Sequence, residues 1–169
     1  KIQPKGQPIR TDGPKEHIIK KSGTPSMGGI LILSSVLISI LLWSDLKNSF
    51  VWIIFFVALA FGSLGFIDDY QKIKLNSSYG LKAGFKILIQ IAISLVVIIL
   101  IIKVLPQSYD TKLMLPFFKN IIFDLGWFFV PFGIFIIVGS SNAVNLTDGL
   151  DGLAIVPVMI AGFSFAIIS

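Results

Sequence analysis

The chain has 169 residues, of which 54% are hydrophobic and only 14% charged, with a formal net charge of +5 and a mean hydropathy of +0.88. No ordinary water-soluble domain of this length carries that balance, so the composition reads as an integral membrane protein. With zero cysteines there is neither a disulfide framework nor a thiolate metal site, and in so apolar a chain the positive charge suits anionic lipid head groups or an anionic substrate rather than nucleic acid.

The N-terminal stretch KIQPKGQPIRTDGPKEHIIKK is polar and basic, without the apolar core of a secretory signal. It runs into GPKEHIIKKSGTPSMGG, Gly13 to Gly29, where Gly-Thr-Pro-Ser before a double glycine predicts a turn feeding a helix, with Ser26 as N-cap. Backbone N–H groups at such an end, beside Lys20 and Lys21, would suit a phosphate, although a basic arm facing lipid would look the same. His17, the single histidine, would serve as a general base or phosphate donor, or would simply be solvated.

A spanning helix needs about 20 largely apolar residues to cross roughly 30 Å of hydrocarbon. Five runs come close: Met27 to Trp43, Phe50 to Ile67, Phe85 to Ile102, Ile121 to Gly139 and Leu153 to Ser169. Their apolar residues come in blocks and do not alternate, which predicts helices rather than barrel strands. The expected architecture is one all-α transmembrane domain of about five helices, with polar loops at about 1–26, 68–84 and 140–152. Ten of the fourteen Lys and Arg residues fall in or beside the first two of these loops, so the positive-inside rule places these loops, and by parity the third, on the cytoplasmic side.

The second run ends in FGSLGFIDDYQK, where two adjacent acids, Asp68 and Asp69, meet the end of an apolar segment, with Lys72, Lys82 and Lys86 following. Neighbouring carboxylates resist double ionisation unless a metal or lysines compensate. Adjacent residues on a helix project about 100° apart, so the two need not share a partner. One would hold a divalent cation while the other accepts a proton or steadies the first. Magnesium is suited to few carboxylates supplemented by water and phosphate oxygens. The alternative is a helix end at which acids simply meet water. The third loop, GSSNAVNLTDGLDGLA, places Asn142, Asn145, Asp148 and Asp151 every three residues, a polar stripe if the stretch is helical. Its spacing does not match a calcium-binding EF-hand loop and fits a nucleotide or sugar better. Carboxylates, lysines and amides on one membrane face are the equipment of magnesium-assisted phosphoryl transfer.

Three segments, GPKEHIIKKSGTPSMGG, GFIDDYQKIK followed by GLKAGFK, and NAVNLTDGLDGLA, together resemble the bacterial phospho-N-acetylmuramoyl-pentapeptide-transferases of the polyprenyl-phosphate phosphosugar transferase superfamily. The resemblance runs from about Gly13 to Ala154. It implies transfer of phospho-MurNAc-pentapeptide from UDP-MurNAc-pentapeptide to undecaprenyl phosphate, forming lipid I and UMP with Mg2+ at the bacterial inner membrane, in peptidoglycan biosynthesis. By the same resemblance Asp68 and Asp69 are the catalytic and metal-binding pair, and Lys21, Lys72 and Lys86 hold phosphates. Ser26 keeps the hydroxyl where the motif commonly has Thr, and Asn145, Asp148 and Asp151 lie near the nucleotide and metal. Asn142 and His17 are further candidates. The family is roughly twice this length, with about ten helices, a third metal-binding aspartate and a histidine-rich motif. Here no acid follows Asp151, so the expectation is a chain that lacks a first helix and the C-terminal half and is inactive alone.

Two other functions fit some of these features. A polyprenyl-phosphate N-acetylhexosamine-1-phosphate transferase shares the acidic pair but usually differs around SGTPSMGG. A transporter would place acids along its path, whereas here only Asp124 lies inside a run. A non-catalytic scaffold has no use for acids and amides gathered on one face. Nothing in the residues fixes the oligomeric state, and a homodimer stays open.

Overall fold

A computed structural model describes residues 28–75, 80–106, 111–115, 118–147 and 153–168. Each expected run yields a helix: α1 (Gly28–Trp43), α2 (Ser49–Lys74), α3 (Ala83–Val104), α4 (Phe129–Thr147) and α5 (Ile155–Ile168). Successive helices pack in order, α1 on α2, α2 on α3 and α3 on α4. Among the described residues three segments are long and apolar enough to cross a membrane: α2, α3 and the span Gly126–Thr147 that contains α4. The chain is thus an all-α membrane protein with one β-hairpin added.

The hairpin is the main departure from expectation. The run beginning at Ile121 does not start as helix. Instead β1 (Lys112–Leu115) pairs antiparallel with β2 (Phe118–Asp124), with Leu113 opposite Phe123 and Met114 opposite Ile122. The reason lies at the open end of the hairpin. The Asp124 carboxylate accepts from Thr111 Oγ1 at 2.7 Å and from the Gly126 N–H at 2.9 Å, and Gly126 takes φ +49°, a conformation that suits glycine and ends regular structure. A 3-10 turn over Gly126–Phe128 then leads into α4. At the other connection on this end, Asn48 caps α2 by accepting the Phe50 N–H at 3.0 Å, and Trp52 Nε1 donates to the Leu46 carbonyl at 2.9 Å.

Few side chains are buried. Ile53, Leu64, Val97 and Ile98 form the apolar core, while large apolar residues on every helix stay exposed, as expected where lipid rather than water surrounds them. Helix association in lipid then depends on close approach and polar contacts. Leu33 of α1 lies over Gly62 of α2, and Ile98 of α3 over Gly133 of α4, so near that a Cβ on either glycine would collide with the neighbouring side chain.

The two hydrogen bonds on Asp124, the one from Thr111 first, hold its carboxyl below its ordinary value. A depressed carboxyl contributes stability that is present above the unfolded value, about 3.9, and is lost as pH falls through the folded value. Asp124→Ala should therefore lower amide protection at Leu113 and Phe123 at pH 7, measured relative to the intrinsic exchange rate, and acidifying the wild type below about pH 3.9 should lower it likewise. Equal protection in both proteins across this range would refute the account of the hairpin.

Candidate functional site

Helix α2 does not stop at its acids. It continues two turns further to Lys74, so Asp68 and Asp69 stand on helix and not in a loop. At this depth the polypeptide leaves the apolar run, and two adjacent carboxylates need cations. Lys72 supplies the first. Its Nζ lies 2.7 Å from Asp68 Oδ2 and 2.9 Å from Asp69 Oδ1. The two acids, which their 100° divergence left free to take separate partners, share this one, because one long side chain at i+3 and i+4 reaches both. Lys86, in the first turn of α3, adds a second ammonium 3.9 Å from Asp68 Oδ2.

The two carboxylates differ. Asp68 is buried, with 11% of its side chain exposed, against 43% for Asp69. Asp68 Oδ1 also accepts the Leu81 backbone N–H at 2.8 Å, which ties the start of α3 to the end of α2. Gly80 makes this possible. A Cβ there would lie 2.8 Å from Asp68 Cγ and 2.9 Å from the Asp68 carbonyl oxygen. Asp69 instead borders a cavity of about 520 Å³ between α1 and α2, otherwise lined by residues such as Gly29, Leu33, Leu37, Gly62 and Phe66. Asp69 is the charged residue of that lining.

Helix α4 extends to Thr147, so Asn142 and Asn145 are helical. They do not share an environment. Asn142 turns to α3, its Nδ2 donating to Gln90 Oε1 at 2.7 Å and to the Val138 carbonyl at 2.8 Å, whereas Asn145 is exposed. The structure thus brings together Asp68, Asp69, Lys72 and Lys86, and gives the Asn142 amide a partner within the protein. His17, Lys21, Ser26, Asp148 and Asp151 lie outside the described residues. Gly80, Leu81 and Gln90 were not singled out from sequence. A lone Gln in the apolar run KILIQIAIS is the signal that could have found one of them.

Among the described residues no group of three or more His, Cys, Asp or Glu side chains comes together. Two carboxylates fit a magnesium ion that takes its remaining ligands from water and phosphate oxygens, not one held in a protein cage. The more exposed Asp69 is the better donor, since Asp68 is committed to Lys72, Lys86 and the Leu81 amide.

The glycosyl transferase family 4 profile matches residues 51–169, and a phospho-N-acetylmuramoyl-pentapeptide-transferase signature matches residues 21–33. The chain is 57% identical over 162 residues to a phospho-N-acetylmuramoyl-pentapeptide-transferase of Pelagibacter ubique (strain HTCC1062), a match covering 96% of this chain and 45% of that relative. The chain therefore spans less than half the length of this curated relative.

Removing the buried acid leaves the Leu81 N–H without its acceptor and Lys72 with Asp69 alone, a loss on the order of 2 kcal/mol for hydrogen bonds to a charged group. Removing the exposed one breaks a pair worth about 0–1 kcal/mol. Thermal unfolding in detergent should thus rank Asp68→Ala well below Asp69→Ala, and Gly80→Ala should lower stability along with Asp68→Ala. A larger loss from Asp69→Ala would reverse the assignment of the anchoring acid.

Proposed function

Because the chain belongs to glycosyl transferase family 4, we propose that it forms part of a phosphosugar transferase that moves phospho-MurNAc-pentapeptide from UDP-MurNAc-pentapeptide to undecaprenyl phosphate, giving lipid I and UMP. The observation that carries this reading is the Asp68, Asp69, Lys72 and Lys86 cluster at the ends of apolar helices. There a soluble diphosphate and a lipid phosphate can meet. In the reaction an oxygen of the lipid phosphate attacks the sugar-bearing phosphorus of the UDP-sugar. The bond from that phosphorus to the bridging oxygen breaks, and UMP leaves with that oxygen and the electron pair.

The residues divide this work by position. Lys72 and Lys86 neutralise phosphate oxygens that would otherwise repel one another, the main requirement of phosphoryl transfer. Asp69, exposed and bordering the α1–α2 cavity, orients the attacking lipid phosphate or takes its remaining proton. Asp68 holds Lys72 and the start of α3 in place. Mg2+, bound through Asp69 and phosphate oxygens, would supply further charge neutralisation at the diphosphate. The resemblance assigns Asn145, Asp148 and Asp151 to the nucleotide, and Lys21 and Ser26 to further phosphate binding. The apolar lining of the cavity suits an isoprenoid acceptor.

The ten-to-four bias of Lys and Arg supports an inner-membrane enzyme whose site opens to the cytoplasm. The activity is proposed for a polypeptide of the relative's full length. UMP release by the full-length gene product tests the reading. It should appear with UDP-MurNAc-pentapeptide and fall at least 100-fold in Asp69→Asn, while Asp124→Asn is unaffected. Release from UDP-GlcNAc only would indicate instead the hexosamine-1-phosphate enzyme. Full activity in both Asp68→Asn and Asp69→Asn would remove the site.

A further inference from the structure

The buried polar side chains among the described residues include Gln90, 2% exposed, and Ser94, 0% exposed, both on α3. Ser94 Oγ bonds the Gln90 carbonyl within its own helix at 2.7 Å. Gln90 reaches instead across to α4, where Asn142 donates to it over a separation of 52 residues. We infer that Gln90 is a positioning residue: its bond to Asn142 keys the rotation and depth of α4 against α3, and so sets where Asn145 stands relative to Lys86 and the acid pair. The inference rests on the transferase reading only for its kinetic consequence.

Helical geometry supports this. Lys86 and Gln90 are four residues apart on α3, about 6 Å along the axis and on one face. One turn of α3 thus carries both the cation that reaches Asp68 and the amide that reaches α4. Asn145 follows Asn142 by three residues, about 4.5 Å of rise. The helices pack antiparallel, with Ile98 against Gly133 farther from the acids, so that rise brings Asn145 toward the level of Lys86. An apolar contact such as Ile98 on Gly133 tolerates sliding and rotation. A directional amide bond with both partners in apolar helices does not, because a turned or shifted α4 would leave an unsatisfied polar group facing hydrocarbon.

The test uses the full-length gene product in nanodiscs, in two arms. In the first, spin labels at Leu88 and Leu146, both exposed, report the α3–α4 distance distribution. It should be narrow in the wild type, broadened or shifted in Gln90→Leu and in Asn142→Leu, and narrow again in the Gln90→Asn/Asn142→Gln exchange. In the second arm, both leucine variants should raise KM for the sugar nucleotide at least fivefold with kcat within about threefold, the double leucine variant should be no worse than either, and the exchange should recover most of the loss. Ile98→Ala, chosen to lower thermal stability at the other α3–α4 contact, should leave KM unchanged. An unaltered distance distribution in Gln90→Leu, or a KM that follows stability equally in Ile98→Ala, overturns the inference. Should the parent release UMP from no sugar nucleotide, the transferase reading falls while the distance arm still decides the role of Gln90.

Discussion

The arrangement depends on how one buried carboxylate is satisfied. A charged Asp68 at the edge of an apolar helix is costly unless it is paired and hydrogen-bonded. It obtains Lys72 from its own helix, Lys86 from α3 and the Leu81 N–H from the intervening turn. Each partner fixes something else. Lys72 is held where it also neutralises Asp69, the Leu81 amide brings the chain back close enough that only glycine fits at position 80, and Lys86 sets the first turn of α3 beside the acids. With α3 placed, Gln90 places α4.

What lies away from this end needs less specification. Around lipid the helices gain little by burying apolar surface against one another, and small residues with complementary side chains, Gly62 with Leu33 and Gly133 with Ile98, are enough to bring them together. Directional contacts are concentrated instead near the polar chemistry, and at the opposite end in the hairpin closed by Asp124.

The helices were legible in the sequence because block hydropathy is a local property, and the acids were legible because they contradict it. The hairpin was not. A short apolar run such as Ile121 to Phe123 reads equally as strand or helix, and the choice was made by Asp124 reaching Thr111, 13 residues away. That one lysine, Lys72, serves both acids was left open by the sequence, because the angle between adjacent side chains does not by itself tell how far a lysine one turn on can reach. The polar stripe from Asn142 was read as one face toward a ligand. Its first member belongs instead to the α3–α4 contact, through a glutamine whose partner lies too far along the chain for periodicity to reveal.

Placed beside a relative more than twice as long, this chain carries a cluster in which two lysines and two acids are nearly balanced and one acid borders an apolar cavity. The central claim is that this cluster handles phosphate at the membrane. The most direct measurement is the affinity of undecaprenyl phosphate for the full-length gene product in nanodiscs, wild type against Lys72→Met. The account predicts binding weakened at least tenfold in the variant and a wild-type affinity that falls as salt rises. Equal affinity of the two proteins, insensitive to salt, would contradict it.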